Sequence, residues 1–539
     1  MNTVRLGLLN RFIRDRRGNI AVTFAIAAIP LLTAVGAAVD YSTAMRIKSK
    51  LQSAADAASV GAIATGSPAY VAAGQMGSTG PITAGNTDAS NIFHANISGV
   101  TGFDNLVVTP DVNKTNNSIT SNVSFSADVP TTFLGLIGYQ KLTVTGSSHS
   151  AGSLPMYLDF YVTLDVSGSM GLPSTTAEAQ RMQDVNPDDH VDYPTGCTLA
   201  CHFTQQNSAC KNPTIPPQTN ASQSGYPTNG YCLGYIISRV SQSGYQGLLT
   251  SSTTKKYTYK NPNTKMYQQL KGSVLSGLPG SITQALTPVT SCPTPGTDAC
   301  IQLRLDAVGY AVNHLLQTAV DPTYEKLPDQ FRIGLYPFIQ YMDTNYAPLT
   351  SSINGNPQTP GTINYQAANL AQELDTNTNS NLGSGGTHID TALFTINNTI
   401  TSVGNGSSPN DTLPFVFLVT DGAQDNQMKA IGGNWSGSNH ATLLNDTVND
   451  KYPYACQQLK NRGILISVLY IPYQPINPVN TSFAGDEDDY ANWNIPNIPK
   501  SLQDCASPNR FYTANTPQDI DSALQKMFAD ALIAAHITN

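Results

Sequence analysis

A chain of 539 residues is long enough for two or three domains. Only 12% of it is charged, 40% is hydrophobic, and the net charge is −8. Those proportions exclude a disordered chain, which is poor in apolar residues, and a nucleic-acid binder, which needs a basic stripe. The abundance of tyrosine (25) and scarcity of Lys and Glu lean toward an extracytoplasmic protein. The eight cysteines all lie at or after Cys197. In an exported chain they would form disulfides; in a cytosolic one they would serve metal or redox chemistry.

The N-terminus bears on that choice. Residues 1–18 carry Arg5, Arg11, Arg14, Arg16 and Arg17, with Asp15 as the one acid, and residues 20–39 carry no charge. About 20 apolar residues at about 1.5 Å rise match a hydrocarbon core of about 30 Å. The arginines place the N-terminus in the cytoplasm and the rest of the chain outside. Pro30 should kink the helix, which a membrane helix tolerates. A cleaved signal peptide is the rival reading, since residues 34–38 are small enough for a cleavage site. The helical pattern continues unbroken past Tyr41 to about residue 64, which favours a retained anchor. The expectation is a cytoplasmic basic segment (1–18), a transmembrane helix (19–42) and a helical stalk (43–66).

Arg17-Gly18-Asn19-Ile20, Val39-Asp40-Tyr41 and Leu51-Gln52-Ser53-Ala54-Ala55-Asp56 flank and follow the apolar span. In that order they resemble the N-terminal region of TadG-like proteins of bacterial tight-adherence (Flp) pilus assembly systems. Pilin precursors processed after a glycine usually carry Glu a few residues into the mature chain. Thr23 stands there, which speaks against cleavage after Gly18.

Residues 66–81 read as a Gly/Ser/Ala/Pro-rich break, followed by a helix over 88–97. Strands are expected over 106–112, 118–129 and 142–150, with a short helix beginning at Pro130. This small α+β module (67–153) carries no recognisable chemistry and reads as a spacer.

From residue 154 the pattern changes. Residues 157–165 form an apolar, β-branched and aromatic strand ending in Asp165-Val166-Ser167-Gly168-Ser169. One carboxylate and two hydroxyls at alternate positions can turn toward one point, and their oxygens suit a hard divalent cation. A second apolar strand, 414–420, ends in Asp421-Gly422, and Gly385-Gly386-Thr387 opens a helix-like run. The three segments in this order resemble the metal-ion-dependent adhesion site of von Willebrand factor A domains. The resemblance implies that Ser167, Ser169 and Thr387 ligate the ion directly while Asp165 and Asp421 hold it mainly through water. Mg²⁺ is the expected ion, with Mn²⁺ or Ca²⁺ as alternatives, and a partner's Asp or Glu carboxylate can take an open position. No Ser-His-Asp arrangement or acid/base carboxylate pair accompanies these residues, so ligation rather than catalysis is expected. The ligands are expected on a solvent-facing edge at the strand ends.

The next convincing amphipathic helix begins only at residue 303. Roughly 130 residues intervene, far beyond an ordinary loop. Residues 171–302 therefore read as an inserted subdomain, stapled by Cys197, Cys201, Cys210, Cys232, Cys292 and Cys300 in any of 15 pairings. After it come a strand (331–338), a helix (363–374), the Thr387 turn and its helix, and the strand to Thr420. A helix (454–461), a strand (464–471), a short strand (510–514) and a closing helix (517–537) follow. Strands alternating with helices give an α/β fold with a doubly wound, mainly parallel sheet over residues 154–539. Cys456 and Cys505 lie in segments preceding consecutive strands; helices so placed can sit side by side, so these two are expected to pair.

Three weaker signals remain. Cys197 and Cys201-His202 depart by one residue from haem-attachment spacing. His190, His202, Cys210 and Cys232 could supply zinc ligands, but disulfides fit an oxidising compartment better. The acids at 486–489 read as a solvated loop, and His388 as a helix cap. Together these features predict a single-pass, bacterial inner-membrane adaptor for pilus assembly with its main body in the periplasm. Pilus or secretion components would be its partners, with no role for nucleic acid. The alternative is a surface adhesin using the same site on a host or matrix ligand.

Overall fold

The uncharged N-terminal stretch has no helix breaker strong enough to end it, and it continues into an alanine-rich run. In a computed structural model both belong to one helix, α1 (Asn19–Gly61), with Pro30 inside it. The structure describes residues 19–185, most of 291–475, residues 487–537 and short pieces between 235 and 289. Contacts divide the chain into two units, Met1–Pro155 and Met156–Asn539.

In the first unit, α1 is long and apolar enough to cross a membrane. At about 1.5 Å per residue it is also about twice the length a bilayer needs. Its second half, the expected helical stalk, packs one face against a sheet. Ala44, Ile47, Leu51, Ala54, Ala55, Ala58 and Ala62 are all buried. Their three- and four-residue spacing makes one narrow stripe of small side chains, which lets the helix lie close on a sheet. Ser59 Oγ lies 3.0 Å from Ser148 Oγ and 2.9 Å from Ser150 Oγ on that sheet.

The segment expected to be a break contains α2 (Pro68–Gln75), whose Ser67 cap accepts the Tyr70 amide. The sheet is antiparallel, in the order β1 (Gly80–Pro81), β2 (Asp104–Thr115), β3 (Ser118–Pro130), β4 (Lys141–Ser153). Helix α3 (Thr83–Asn96) precedes β2 and starts earlier than its periodicity suggests. The β2–β3 hairpin turns on Asn116 at φ 51°, a left-handed conformation that Asn tolerates. Pro130 ends β3 instead of opening a helix, and the turn beyond it is a 3₁₀ helix, Leu134–Ile137.

The second unit is built on a six-stranded sheet. Its strands are β5 (Leu158–Asp165), β6 (Phe331–Phe338), β7 (Ala347–Thr350), β8 (Leu413–Thr420), β9 (Leu465–Tyr470) and β10 (Phe511–Thr513). Their order is β7-β6-β5-β8-β9-β10, parallel throughout except for the edge strand β7. This is the doubly wound, mainly parallel sheet expected from the alternation of elements. Every residue of β5 is buried, because both faces of a parallel sheet are covered. Phe160, Val162, Phe415 and Phe417 pack into one core cluster; Tyr161, Val416 and Leu418 pack into the other. Asp159 is tolerated inside because Arg332, directly opposite on β6, grips both its oxygens at 2.7 and 2.6 Å.

The first core cluster includes residues of α5 (Arg304–Ala319), α6 (Ile363–Ala368) and the closing helix Pro517–Ile537. The second includes residues of α7 (Ile389–Thr399), α8 (Ala455–Asn461) and the helix Ile498–Cys505. The helix expected over 363–374 is in fact split, with a 3₁₀ turn at Leu370–Glu373. Glu487, Asp488 and Asp489 begin a helix, Glu487–Asn494, and do not form a free loop.

A helix, α4 (Thr176–Val185), does follow the β5 turn closely. It is short and polar, which hid it from the periodicity reading. The long insertion is clamped at its base. Pro173 bridges Leu303, and the Ser174 and Arg304 amides donate to Gln302 and Leu172 carbonyls at 2.9 and 2.8 Å. Cys292 and Cys300 are joined within its last segment. Cys197, Cys201, Cys210, Cys232, His190 and His202 lie outside the described residues.

Cys456 and Cys505 are joined as well, both buried in the second core cluster. The bond spans a sequence separation of 49 residues. On the chain-entropy model that closure stabilises the unit by about 4 kcal/mol. A Cys456→Ser, Cys505→Ser double variant should therefore melt several degrees lower. Its divalent-cation binding should persist, a combination checked by calorimetry and metal titration on one sample.

Candidate metal centre

Parallel strands end at one edge of the sheet, and ligands of such sheets bind beyond their carboxyl ends. β5 and β8 are neighbours, so their terminal residues Asp165 and Thr420-Asp421 meet there. The Asp165 carboxylate accepts the Ser167 amide at 3.0 Å and the Thr420 hydroxyl at 2.6 Å. Thr420 in turn accepts the Gly422 amide at 2.9 Å. Ser167 Oγ and Ser169 Oγ lie 3.3 Å apart. Gly422 has φ 80°, and a Cβ there would come within 2.6 Å of Ile498 and Leu502, so only glycine fits after Asp421.

Asp421 is fully buried, yet neither carboxylate oxygen has a hydrogen-bond partner. The Ser169 hydroxyl and the Ala423 amide act on it without meeting hydrogen-bond geometry. Its nearest cation is Arg304 at the start of α5, whose Nη1 sits 3.7 Å from Oδ2 and is itself buried without a hydrogen bond. Burial pushes both Asp165 and Asp421 up from the usual carboxylate range. Asp165 raises Asp421 further and Arg304 opposes it, while bonds from Ser167 and Thr420 pull Asp165 back. In their charged forms, two buried carboxylates beside a single, loosely held guanidinium would carry negative charge that the neighbouring groups do not compensate, so a proton or a cation must neutralise it.

Thr387 reaches the same edge through backbone. Its amide donates to Asp425 O at 2.9 Å, and the Asp425 amide returns the bond at 3.0 Å. Gly385 and Gly386, at φ 85° and 68°, shape the loop before it. Asp375 fastens this loop to the β5 turn: its amide donates to Val166 O at 3.1 Å, and its Oδ2 accepts the Gly385 amide at 2.9 Å. His388 caps no amide with its side chain at the start of α7.

The expected solvent-facing edge is not what forms. Asp165, Ser167, Thr387 and Asp421 are all buried, and Ser169 is half-buried. The cause is the loops from separate parts of the chain that close over the strand ends. Sequence reading missed Thr420, Asp375 and Arg304. Thr420 had a local signal, being adjacent to Asp421 at a strand end; the other two had none.

Among the described residues, no three or more His, Cys, Asp or Glu side chains gather around an ion position. A cation here would depend on hydroxyl oxygens as well as carboxylates. The donor set fits one: the Ser167 and Ser169 hydroxyls adjoin the carboxyl pair, and the Asp421 oxygens have no hydrogen-bond partner.

Residues 18–73 match the sequence model of the TadE/G-like Flp pilus-assembly family. A search of curated proteins finds no match. Among solved structures, the chain is similar to the PilB minor pilin of Streptococcus sanguinis in its D319A form. The identity is 10% and the TM-score 0.31, over 82% of this chain and 81% of that one. It is also similar to the von Willebrand factor domain of the type V pilus tip protein Mfa5 of Porphyromonas gingivalis. That match has 13% identity and a TM-score of 0.26, covering 43% of this chain and 89% of the other. A third is mussel byssus proximal thread matrix protein 1 with a zinc-occupied MIDAS motif, at 14% identity and TM-score 0.24, over 42% and 43%. These likenesses are weak, and the description of the fold rests on the strand order.

Proposed function

We propose that this chain is a membrane-anchored, non-enzymatic adaptor for assembling a tight-adherence (Flp) pilus. It grips a partner's Asp or Glu carboxylate through a divalent cation held by Asp165, Ser167, Ser169, Thr387 and Asp421. The observation that carries this reading is Asp421, fully buried beside Asp165 with no hydrogen bond to either oxygen. Such a carboxylate is costly in its charged form unless a proton or a cation neutralises it, and the Ser167 and Ser169 hydroxyls beside it favour a cation. Mg²⁺ is the favoured ion because carboxylate and hydroxyl oxygens are hard ligands; Mn²⁺ and Ca²⁺ are the alternatives. When bound, the ion supplies a Lewis-acidic position for a carboxylate oxygen, with no bond made or broken. Gly422 and the Asp375 link hold the loops that present the ligands.

The N-terminal family match supports the pilus assignment, and α1 fits a single-pass membrane protein. The basic segment 1–18 supports a cytoplasmic N-terminus and a periplasmic body in the inner membrane. The test is affinity capture with the detergent-solubilised full chain. Pilin or secretion components should be retained in Mg²⁺, and released by EDTA or by Asp421→Asn. Equal recovery under all three conditions would overturn the metal-dependent grip. Finding the chain at the cell surface on fractionation would overturn the adaptor in favour of an adhesin.

A further inference from the structure

The loop 131–140, between β3 and β4, leaves large apolar side chains exposed. Leu136 is 84% exposed, Tyr139 65%, Ile137 53% and Phe133 42%. No residue from 131 to 140 is charged. The loop is anchored at one place on α1. The Asp40 carboxylate accepts the amides of Thr132, Phe133 and Leu134 at 3.1, 2.8 and 2.7 Å. One turn earlier, Gly36 receives the Phe133 side chain so closely that a Cβ there would collide with it. Gly36 lies inside the uncharged run 20–39, and Asp40 ends that run. The loop is therefore fixed at the depth where the apolar span meets its boundary.

We propose that loop 131–140 is a second membrane contact, entering the leaflet at the C-terminal end of the apolar span. This rests on α1 being the membrane anchor of the function proposed above. Its occupant is lipid because Phe133 already holds the loop against the span of its own helix, while Leu136, Ile137 and Tyr139 stay exposed beside that span. Its backbone suits a waterless setting, where polar groups must be paired internally. The Tyr139 amide donates to Leu134 O at 3.0 Å, Gly138 to Gly135 O at 3.2 Å, and Leu136 to Phe133 O at 3.2 Å. The Thr131 amide closes the loop on Gln140 O at 3.1 Å, and Gln140 Nε2 donates to Gly135 O at 3.2 Å. Asp40 takes the three amides that would otherwise be unpaired. Tyr139 has the amphipathic ring that collects at membrane–water boundaries. Lys141 follows at once, exposed and paired with Asp128 at 2.5 Å, which marks where water resumes. Held by both helix and loop, the first unit cannot swivel freely about a single span.

The test uses the full chain in phosphatidylcholine vesicles with Trp435→Phe and Trp493→Phe as background. Single tryptophans are then added as Leu136→Trp, Ile29→Trp or Val60→Trp, all at exposed positions where the larger ring displaces nothing. Lipids brominated near the headgroup or deep in the chains serve as quenchers. Leu136→Trp should lose at least half its fluorescence to shallow bromines, and Ile29→Trp should respond most to deep ones. Val60→Trp, about 36 Å further along α1 from Gly36, should be unaffected. Quenching of Ile29→Trp without quenching of Leu136→Trp overturns the loop contact and leaves the anchor standing. If Leu136→Trp is shielded from both lipid and aqueous iodide, a protein surface covers it and the lipid assignment is wrong. If Ile29→Trp is also unquenched, the anchor fails and the loop contact fails with it.

Discussion

Asp165→Ala is expected to weaken divalent-cation binding about 100-fold, the upper end of the range seen when an outer-shell partner of a metal is lost. In isothermal titration of the full chain with Mg²⁺ or Mn²⁺, the wild type should give a one-site isotherm and the variant none. Stability gives a second readout. A ligand at 100 times its Kd stabilises the native state by about 2.7 kcal/mol, and that gain should vanish in the variant. Because Asp165 is buried, the variant should also be less stable without metal. The Thr420 hydroxyl and Ser167 amide lose their acceptor, at about 1–3 kcal/mol for each unsatisfied buried group. Removing one of two adjacent buried carboxylates offsets part of that cost. Asp421→Asn breaks no hydrogen bond, so its cost to the fold is confined to the loose ion pair with Arg304 at 3.7 Å, and it should separate metal loss from fold loss more cleanly. Wild-type affinity in Asp165→Ala would sink the assignment of the site.

Asp306→Ala should be among the most damaging single substitutions in the second unit, at about 3–5 kcal/mol. Asp306 sits in the first turn of α5 and accepts three donors. They are Arg239 Nη2 at 2.7 Å, the Leu303 amide at 2.9 Å and the Cys292 amide at 3.3 Å. Both members of the Arg239–Asp306 pair have side chains only 1% exposed. Arg239 Nε and Nη1 already lack hydrogen bonds, although the guanidinium lies 4.8 Å from the centre of the Tyr235 ring. Without Asp306 a full positive charge stays buried with no counter-charge. Pairing Asp306→Leu with Arg239→Met removes both charges and should restore most of the loss, since apolar replacement of a buried pair is often neutral. Denaturant titration of the two single variants and the double variant measures the coupling. Near-additive losses would show that the pair does not act as a unit.

Much of this molecule is written in short stretches of chain. The apolar span, the buried runs of β5 and β8 and the closing helix follow from period and composition within ten to twenty residues. Asp165, Ser167, Ser169 and Asp421 are legible for the same reason: each lies at or just past the end of a strand, and strand ends are local events. Helix Thr176–Val185 escaped because its sequence is too polar to show a clear apolar face. The helix over 43–61 is legible too, but that its alanines lie on a sheet is not, because alanine at helical spacing looks alike whether it faces solvent or a sheet.

The sequence by itself therefore determined the elements, the α/β class and most of the chemistry-bearing residues. Only the tertiary structure decided what those residues meet. Thr420 bonds Asp165 across 255 positions because β5 and β8 pair in parallel, and parallel pairing requires a long crossover between them. Arg304 and Asp375 join the centre because one starts α5 and the other lies between two of the site's loops. The same closure buries the ligands, converting an expected exposed edge into a desolvated pair of carboxylates. At the other end of the chain, Asp40 reads locally as the end of an apolar span. The three amides it holds come from more than ninety residues away, and no local pattern encodes that distance.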